Sequence, residues 1–146
     1  MKIPPLNLDV RVQVSALVQK SEDPSKVATA ARNITGGLEP DHFEETEAHV
    51  VLEYEGEHAL HYIYRKIRER QVISVARRLL LENMAKNSTT ILVNRQAAYI
   101  GNIVLCEEEA ESPLGPIYVK ISSQHLLEVI EWLASERDVE VAAGRR

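Results

Sequence analysis

Six basic residues fall between positions 65 and 78: Arg65, Lys66, Arg68, Arg70, Arg77 and Arg78. They stand against the single acid Glu69. Guanidinium and ammonium groups at this density could meet phosphates, and Arg95 is a further candidate. Tyr62, Tyr64, Tyr99 and Tyr118 could stack bases beside them. Two features oppose that chemistry. Ile63 and Ile67 place Tyr64 in a core stripe. The stretch from Asn33 to Tyr64 also carries eight acids (Glu39, Asp41, Glu44, Glu45, Glu47, Glu53, Glu55 and Glu57) and no Lys or Arg. Nearby carboxylates weaken phosphate attraction, and both charge blocks also read as solvated faces. The net charge of −5 disfavours nucleic acid as a default partner.

Other reactive groups are sparser. His58 and His61 are three apart on an expected helix, with Glu55 and Glu57 just before them. Such a pair can face one metal, but a surface histidine pair at a helix start is the simpler reading. His42 and His49 sit in the acidic stretch and read as solvated. His125 is seven residues before Trp132, which suits stacking or capping. Cys106 is the only cysteine and lies in an apolar run with no basic neighbour, so an inert buried thiol is expected. No serine occupies a Gly-x-Ser-x-Gly elbow. No carboxylate pair is marked as the split pair of acid–base catalysis. Gly36-Gly37 lacks the following lysine of a phosphate loop. The sequence therefore assigns no catalytic residue, no metal ligand and no cofactor.

The elements that position these groups follow from periodicity and caps. Leu6 to Ser15 alternates with a period of two, as does Ala48 to Glu55, so each strand has one buried and one wet face. Asp23-Pro24 starts a helix with Val27, Ala30, Ala31 and Ile34 on one stripe, and Gly36-Gly37 ends it. Residues 58–86 look like one helix until the apolar phase is followed. Leu60, Ile63, Tyr64 and Ile67 point to one side, whereas Val72, Val75, Ala76, Leu79 and Leu80 point nearly opposite. A bend at Arg70–Val72 resolves the conflict and gathers the basic residues around a corner. Thr90–Val93, Ala98–Cys106 and Ile117–Ile121 read as three more strands, with a polar turn at Asn94–Gln96 and turn chemistry at Ser112–Pro116. Leu126, Val129, Ile130 and Leu133 face the core from a last helix, and residues 134–146 form a weakly patterned tail expected to fray.

At 146 residues the expectation is one domain, 1–146, burying about 68–70% of its unfolded surface. The hydrophobic content of 45% and charged content of 27% are ordinary for a globular chain. A lone cysteine, no apolar leader at the N-terminus and no long apolar stretch point to a reducing cytoplasm and away from membranes.

Asn94-Arg95-Gln96-Ala97-Ala98-Tyr99-Ile100-Gly101, followed by Glu111-Ser112-Pro113-Leu114-Gly115-Pro116-Ile117, resembles an archaeal family of uncharacterised proteins. The likeness extends to the opening strand and to Arg70-Gln71 with Ala76-Arg77. Its fold is similar to that of ribosomal protein L-five. The resemblance implies a mixed α/β sandwich, a homodimer and a cytoplasmic archaeal source. It implies RNA binding only through the fold, and it supplies no catalytic residue. The expected architecture is one α/β (α+β) domain in the order β-α-β-α-α-β-β-β-α, with a mainly antiparallel sheet and helices on one face. The favoured function is that of a non-enzymatic homodimer with an RNA-binding-like fold, in which acidic 39–57 and basic 65–78 pair across the two-fold axis. The alternative is an RNA binder using Arg65, Lys66, Arg68, Arg70, Arg77, Arg78 and Arg95. A more distant one is a metal- or carboxylate-dependent enzyme. Arg95 itself is expected to bridge to the acidic loop Glu107–Glu111.

Overall fold

Alternating apolar residues build the sheet. The computed structural model describes residues 1–138. Its strands are β1 (Arg11–Leu17), β2 (His42–Glu45), β3 (His49–Glu55), β4 (Ser88–Val93), β5 (Leu105–Cys106) and β6 (Ile117–Ser122). They form one six-stranded sheet in the order β2-β3-β1-β6-β4-β5, and every neighbouring pair is antiparallel. Val14 lies opposite Leu52 on one side and Val119 on the other, and Val119 in turn faces Ile91. These aligned side chains make rows on one face, all fully buried or nearly so.

Five α-helices among the described residues supply most of the rest of the core: α1 (Pro24–Asn33), α2 (His61–Glu69), α3 (Ile73–Glu82), α4 (Arg95–Tyr99) and α5 (Leu126–Leu133). Ala30, Ala31, Ile63, Ile67, Leu80, Val129 and Ile130 join the strand rows in one contiguous apolar cluster. The opposite sheet face carries Gln13, Glu53, Thr90 and Lys120, which stay wholly or partly accessible. This is the one-sided sheet that the alternation predicts.

Local signals set most boundaries. Asp23 caps α1, its carboxylate accepting from the Ser25 N–H at 3.0 Å, and Pro24 takes the first helical position. The bend between α2 and α3 falls where the apolar phase reverses. Gln71 there adopts φ +59, a left-handed conformation that ends one helix and redirects the next.

Three boundaries differ from expectation. The opening strand begins at Arg11 rather than Leu6. Asn7 is left-handed (φ +59), and the Glu57 carboxylate takes the N–H groups of Leu6 and Asn7 from any ladder. The acidic segment around His42 is exposed as expected, but it also forms the edge strand β2, which the sequence reading did not assign. The expected strand Ala98–Cys106 instead opens on the end of α4 and continues as a turn and irregular chain: the Asn94 side chain accepts from the Ala97 N–H as an N-cap, and Gly101 follows the helix end at φ +88. Only Leu105 and Cys106 pair as strand β5. The tail expected to fray falls partly on residues 139–146, outside the described residues. Over 134–138 it is held, with Ala134 fully buried and Asp138 bound to Arg68.

Candidate nucleic-acid interface

The bend gathers α2 and α3 into a corner, and the fate of each cation there differs. Arg68 is spent inside the fold. Its guanidinium donates to the Leu133 carbonyl at 2.9 Å, the Tyr64 carbonyl at 3.0 Å and the Asp138 carboxylate at 2.6 Å. It also lies 3.5 Å from the Tyr64 ring centroid. Arg77 reaches the same end of α5, donating to the Ala134 carbonyl at 3.1 Å and pairing with Glu131. Together the two arginines satisfy carbonyls that a helix end leaves without partners. Arg78 pairs with Glu82 and Glu107 in the open, and Lys66 pairs with Glu69. Arg65 and Arg70 have no carboxylate partner among the described residues.

The acids that neutralise the corner come from this chain's own Glu69, Glu82, Glu107, Glu131 and Asp138. None belongs to the 39–57 block, whose Glu39, Glu44 and Glu55 pair with Arg32, His49 and Arg11. The corner therefore needs no partner's carboxylates to balance most of its charge.

Arg95 sits apart from the corner. Its side chain is 5% exposed and pairs with Glu22 at 2.6 Å, not with the acidic loop. The same guanidinium donates to the carbonyls of Leu17, Gly115 and Pro116. It thereby joins the end of β1, the start of α1 and the turn before β6. The acidic loop finds other partners: Glu107 takes Arg78, and Glu109 takes the Tyr118 hydroxyl. A planar fork with five donors suits this set of fixed acceptors.

The aromatic candidates also separate. Tyr64 is buried between Arg68 and Trp132. The Tyr62 hydroxyl donates to the Gly101 carbonyl, and the Lys66 ammonium lies 5.3 Å from the Tyr62 ring centroid. Tyr99 is 46% exposed at the end of α4. The rings of His58 and His61 lie 4.8 Å apart, and His61 packs toward Trp132. No group of three or more His, Cys, Asp or Glu is placed to hold a metal ion among the described residues. Cys106 is buried, and burial pushes its thiol upward, with Glu111 adding to the effect. No helix among the described residues is long and apolar enough to cross a membrane.

Glu57 supplies a pH test. Burial raises its carboxyl, but hydrogen bonds from His61, Asn7 and Leu6 outweigh burial and hold it below its ordinary 4.5. A carboxylate lowered in the folded state stabilises above its unfolded value, and that contribution disappears as pH falls through the folded value. Glu57→Gln should thus lower stability at neutral pH by about 1–2 kcal/mol and flatten the loss below pH 4.5. Urea melts at pH 7 and pH 3 check this; an equal deficit at both pH values would exclude it.

The Arg95–Glu22 pair and the tie from Arg68 and Arg77 to α5 were absent from the sequence reading. The only local hint lay at Asn94, an N-cap residue before the helix formers of Arg95-Gln96-Ala97-Ala98.

A family model described as RNA binding matches residues 11–123, from β1 to just past β6. A UPF0201 protein of Sulfurisphaera tokodaii is 34% identical over 130 residues, covering 84% of this chain and 86% of that one. A UPF0201 protein of Pyrococcus abyssi is 33% identical over 124 residues, covering 84% and 88%. The crystal structure of a UPF0201 protein from Methanococcus jannaschii matches with a TM-score of 0.67 at 24% identity, covering 88% of this chain and 94% of that one. A structure from the DUF54 family, of an Archaeglobus fulgidus protein, matches with a TM-score of 0.62 at 23% identity, covering 86% and 95%. Both share the mixed α/β fold.

Proposed function

The chain belongs to the archaeal UPF0201 family, and from that premise we propose that it is a non-enzymatic RNA-binding protein that meets phosphates with the α2–α3 corner. The carrying observation is that, among the described residues, Arg65 and Arg70 stand without carboxylate partners in a corner whose other cations are paired. Lys66 and Arg78 have only accessible partners, which a phosphate can replace at little cost because exposed ion pairs are weak. Arg68, Arg77 and Arg95 act in this proposal as supports that hold α5, α1 and the turn at Ser112–Pro116 in place. The open sheet face is a poorer phosphate site, since Glu53, Glu55 and Asp41 surround Arg11 and Lys120 there.

Phosphate contacts position a nucleic acid without reading its sequence. Four cations releasing counterions should give a log–log salt slope of roughly −3. Titration of the full chain with transfer or ribosomal RNA at low and moderate salt checks this by fluorescence anisotropy. Absence of binding even at low salt ends the proposal. The proposed assembly is the homodimer that the family resemblance implies; light scattering that reports a monomer at both low and high salt removes it.

A further inference from the structure

A cleft between α1 and α4 lies outside the basic corner. Its volume is about 380 Å³, within the roughly 300–1,000 Å³ of small-ligand sites. Val27 and Ala30 of α1, Tyr99 of α4 and Leu114 of the turn give it apolar walls. Glu22 and Arg95 add a polar group that is almost wholly buried. Glu22 Oε1 accepts from the Gln19 N–H and from Arg95, whereas Oε2 accepts from no group among the described residues. That oxygen is open to a donor, because no buried side-chain oxygen among the described residues is left without a partner. Asp23 and Lys26 also line the cleft, so its formal charges cancel. A neutral, flat ligand with an N–H donor fits this combination better than an anion.

A short run of contacts links one wall of the cleft to α2. Tyr99 is two residues from Gly101, whose carbonyl holds the Tyr62 hydroxyl, and Lys66 lies over the Tyr62 ring.

We propose that the cleft takes one unpaired nucleobase bearing an exocyclic amino group, stacked on Tyr99 and hydrogen-bonded to the free oxygen of Glu22. The occupant rests on the RNA-binding reading above. Stacking on an accessible aromatic ring is tolerant of base identity, so selectivity comes from Glu22. An amino group donates to the carboxylate, while the carbonyl oxygens flanking the uracil N–H face its negative charge.

The test uses nucleosides, which carry no phosphate and therefore cannot report on the corner. Adenosine, cytidine and uridine are titrated into the ¹⁵N-labelled full chain and followed by NMR. Saturable shifts are expected at Ala30, Tyr99 and Leu114, with uridine several-fold weaker than cytidine. Tyr99→Ala, a change at an accessible ring, should weaken adenosine and cytidine about tenfold. Glu22→Gln should remove the preference over uridine; if that variant does not fold, the wild-type cytidine-to-uridine ratio and Tyr99→Ala decide. The proposal is overturned by no saturable shift, by shifts that map elsewhere, by equal uridine affinity, or by unchanged binding in Tyr99→Ala. RNA binding without nucleoside binding removes the cleft and leaves the corner. Nucleoside binding without RNA binding does the reverse.

Discussion

Arg95→Ala is expected to destabilise the chain by about 3–5 kcal/mol, the usual consequence of removing one partner from a buried ion pair. Glu22 would be left without its cation while its side chain is only 11% exposed. The carbonyls of Leu17 and Pro116 would lose their Arg95 donor together, Gly115 would keep only the Ser112 hydroxyl, and buried acceptors without donors are costly. A chain of this size should melt about 10 °C lower. Arg95→Lys should recover little, because one ammonium cannot span acceptors that a planar fork reaches in several directions. The double change Arg95→Met with Glu22→Leu should be milder than Arg95→Ala alone, since replacing both ions removes the stranded charge. Thermal and urea melts of the three variants provide the check. If Arg95→Ala stays within about 0.5 kcal/mol of the parent, the range of ordinary surface changes, the pair does not hold β1, α1 and the turn together.

Reversing the two unpaired cations should have the largest effect on binding. Arg65→Glu with Arg70→Glu is expected to weaken RNA affinity about a hundredfold at low salt and to flatten the log–log salt slope by about 2. Neither side chain has a carboxylate partner among the described residues, so the fold should tolerate the change. Arg68→Ala and Arg77→Ala form the contrast: each loses donors to the end of α5 and should act on stability first. Anisotropy titrations at two salt concentrations, with circular dichroism to verify folding, distinguish the cases. An unchanged slope in the double variant would place the phosphates elsewhere.

Much of the fold was legible because its signals are local. A period of two along Val10, Val12 and Val14 specifies a half-buried strand whatever its neighbours are. The reversal of apolar phase across residues 58–86 required a bend, since one straight helix cannot bury two opposite sides. Asp23-Pro24 and Gly36-Gly37 bracketed α1 by caps alone. Local reading fell short in three places. The strand read from Leu6 starts only at Arg11, past the left-handed Asn7. The apolar run from Ala98 to Cys106 looked like a strand, but the Asn94 cap and the left-handed Gly101 outweighed it. The segment His42–Glu45 is exposed throughout and has no apolar alternation to betray a strand. It pairs only because β3 offers an open edge.

The basic residues illustrate the deeper division. Their clustering at one bend was fixed by composition and helix phase. Which of them are consumed inside the fold was settled by topology, because the partners of Arg68, Arg77 and Arg95 lie far away in sequence. Arg68 meets the Leu133 carbonyl 65 positions on, and Arg95 meets Glu22 73 positions back. Charge density along the chain therefore located the candidate surface, while strand order and helix packing divided its members into supports and available cations. The sequence by itself determined the one-sided antiparallel sheet, the capped helices and the corner, through periodicity and backbone chemistry acting over a few residues. Only the tertiary structure decided the burial of Arg95, the neutralisation of Arg68 and Arg77, and the cleft beside Tyr99. Those depend on long-range contacts that no local pattern encodes.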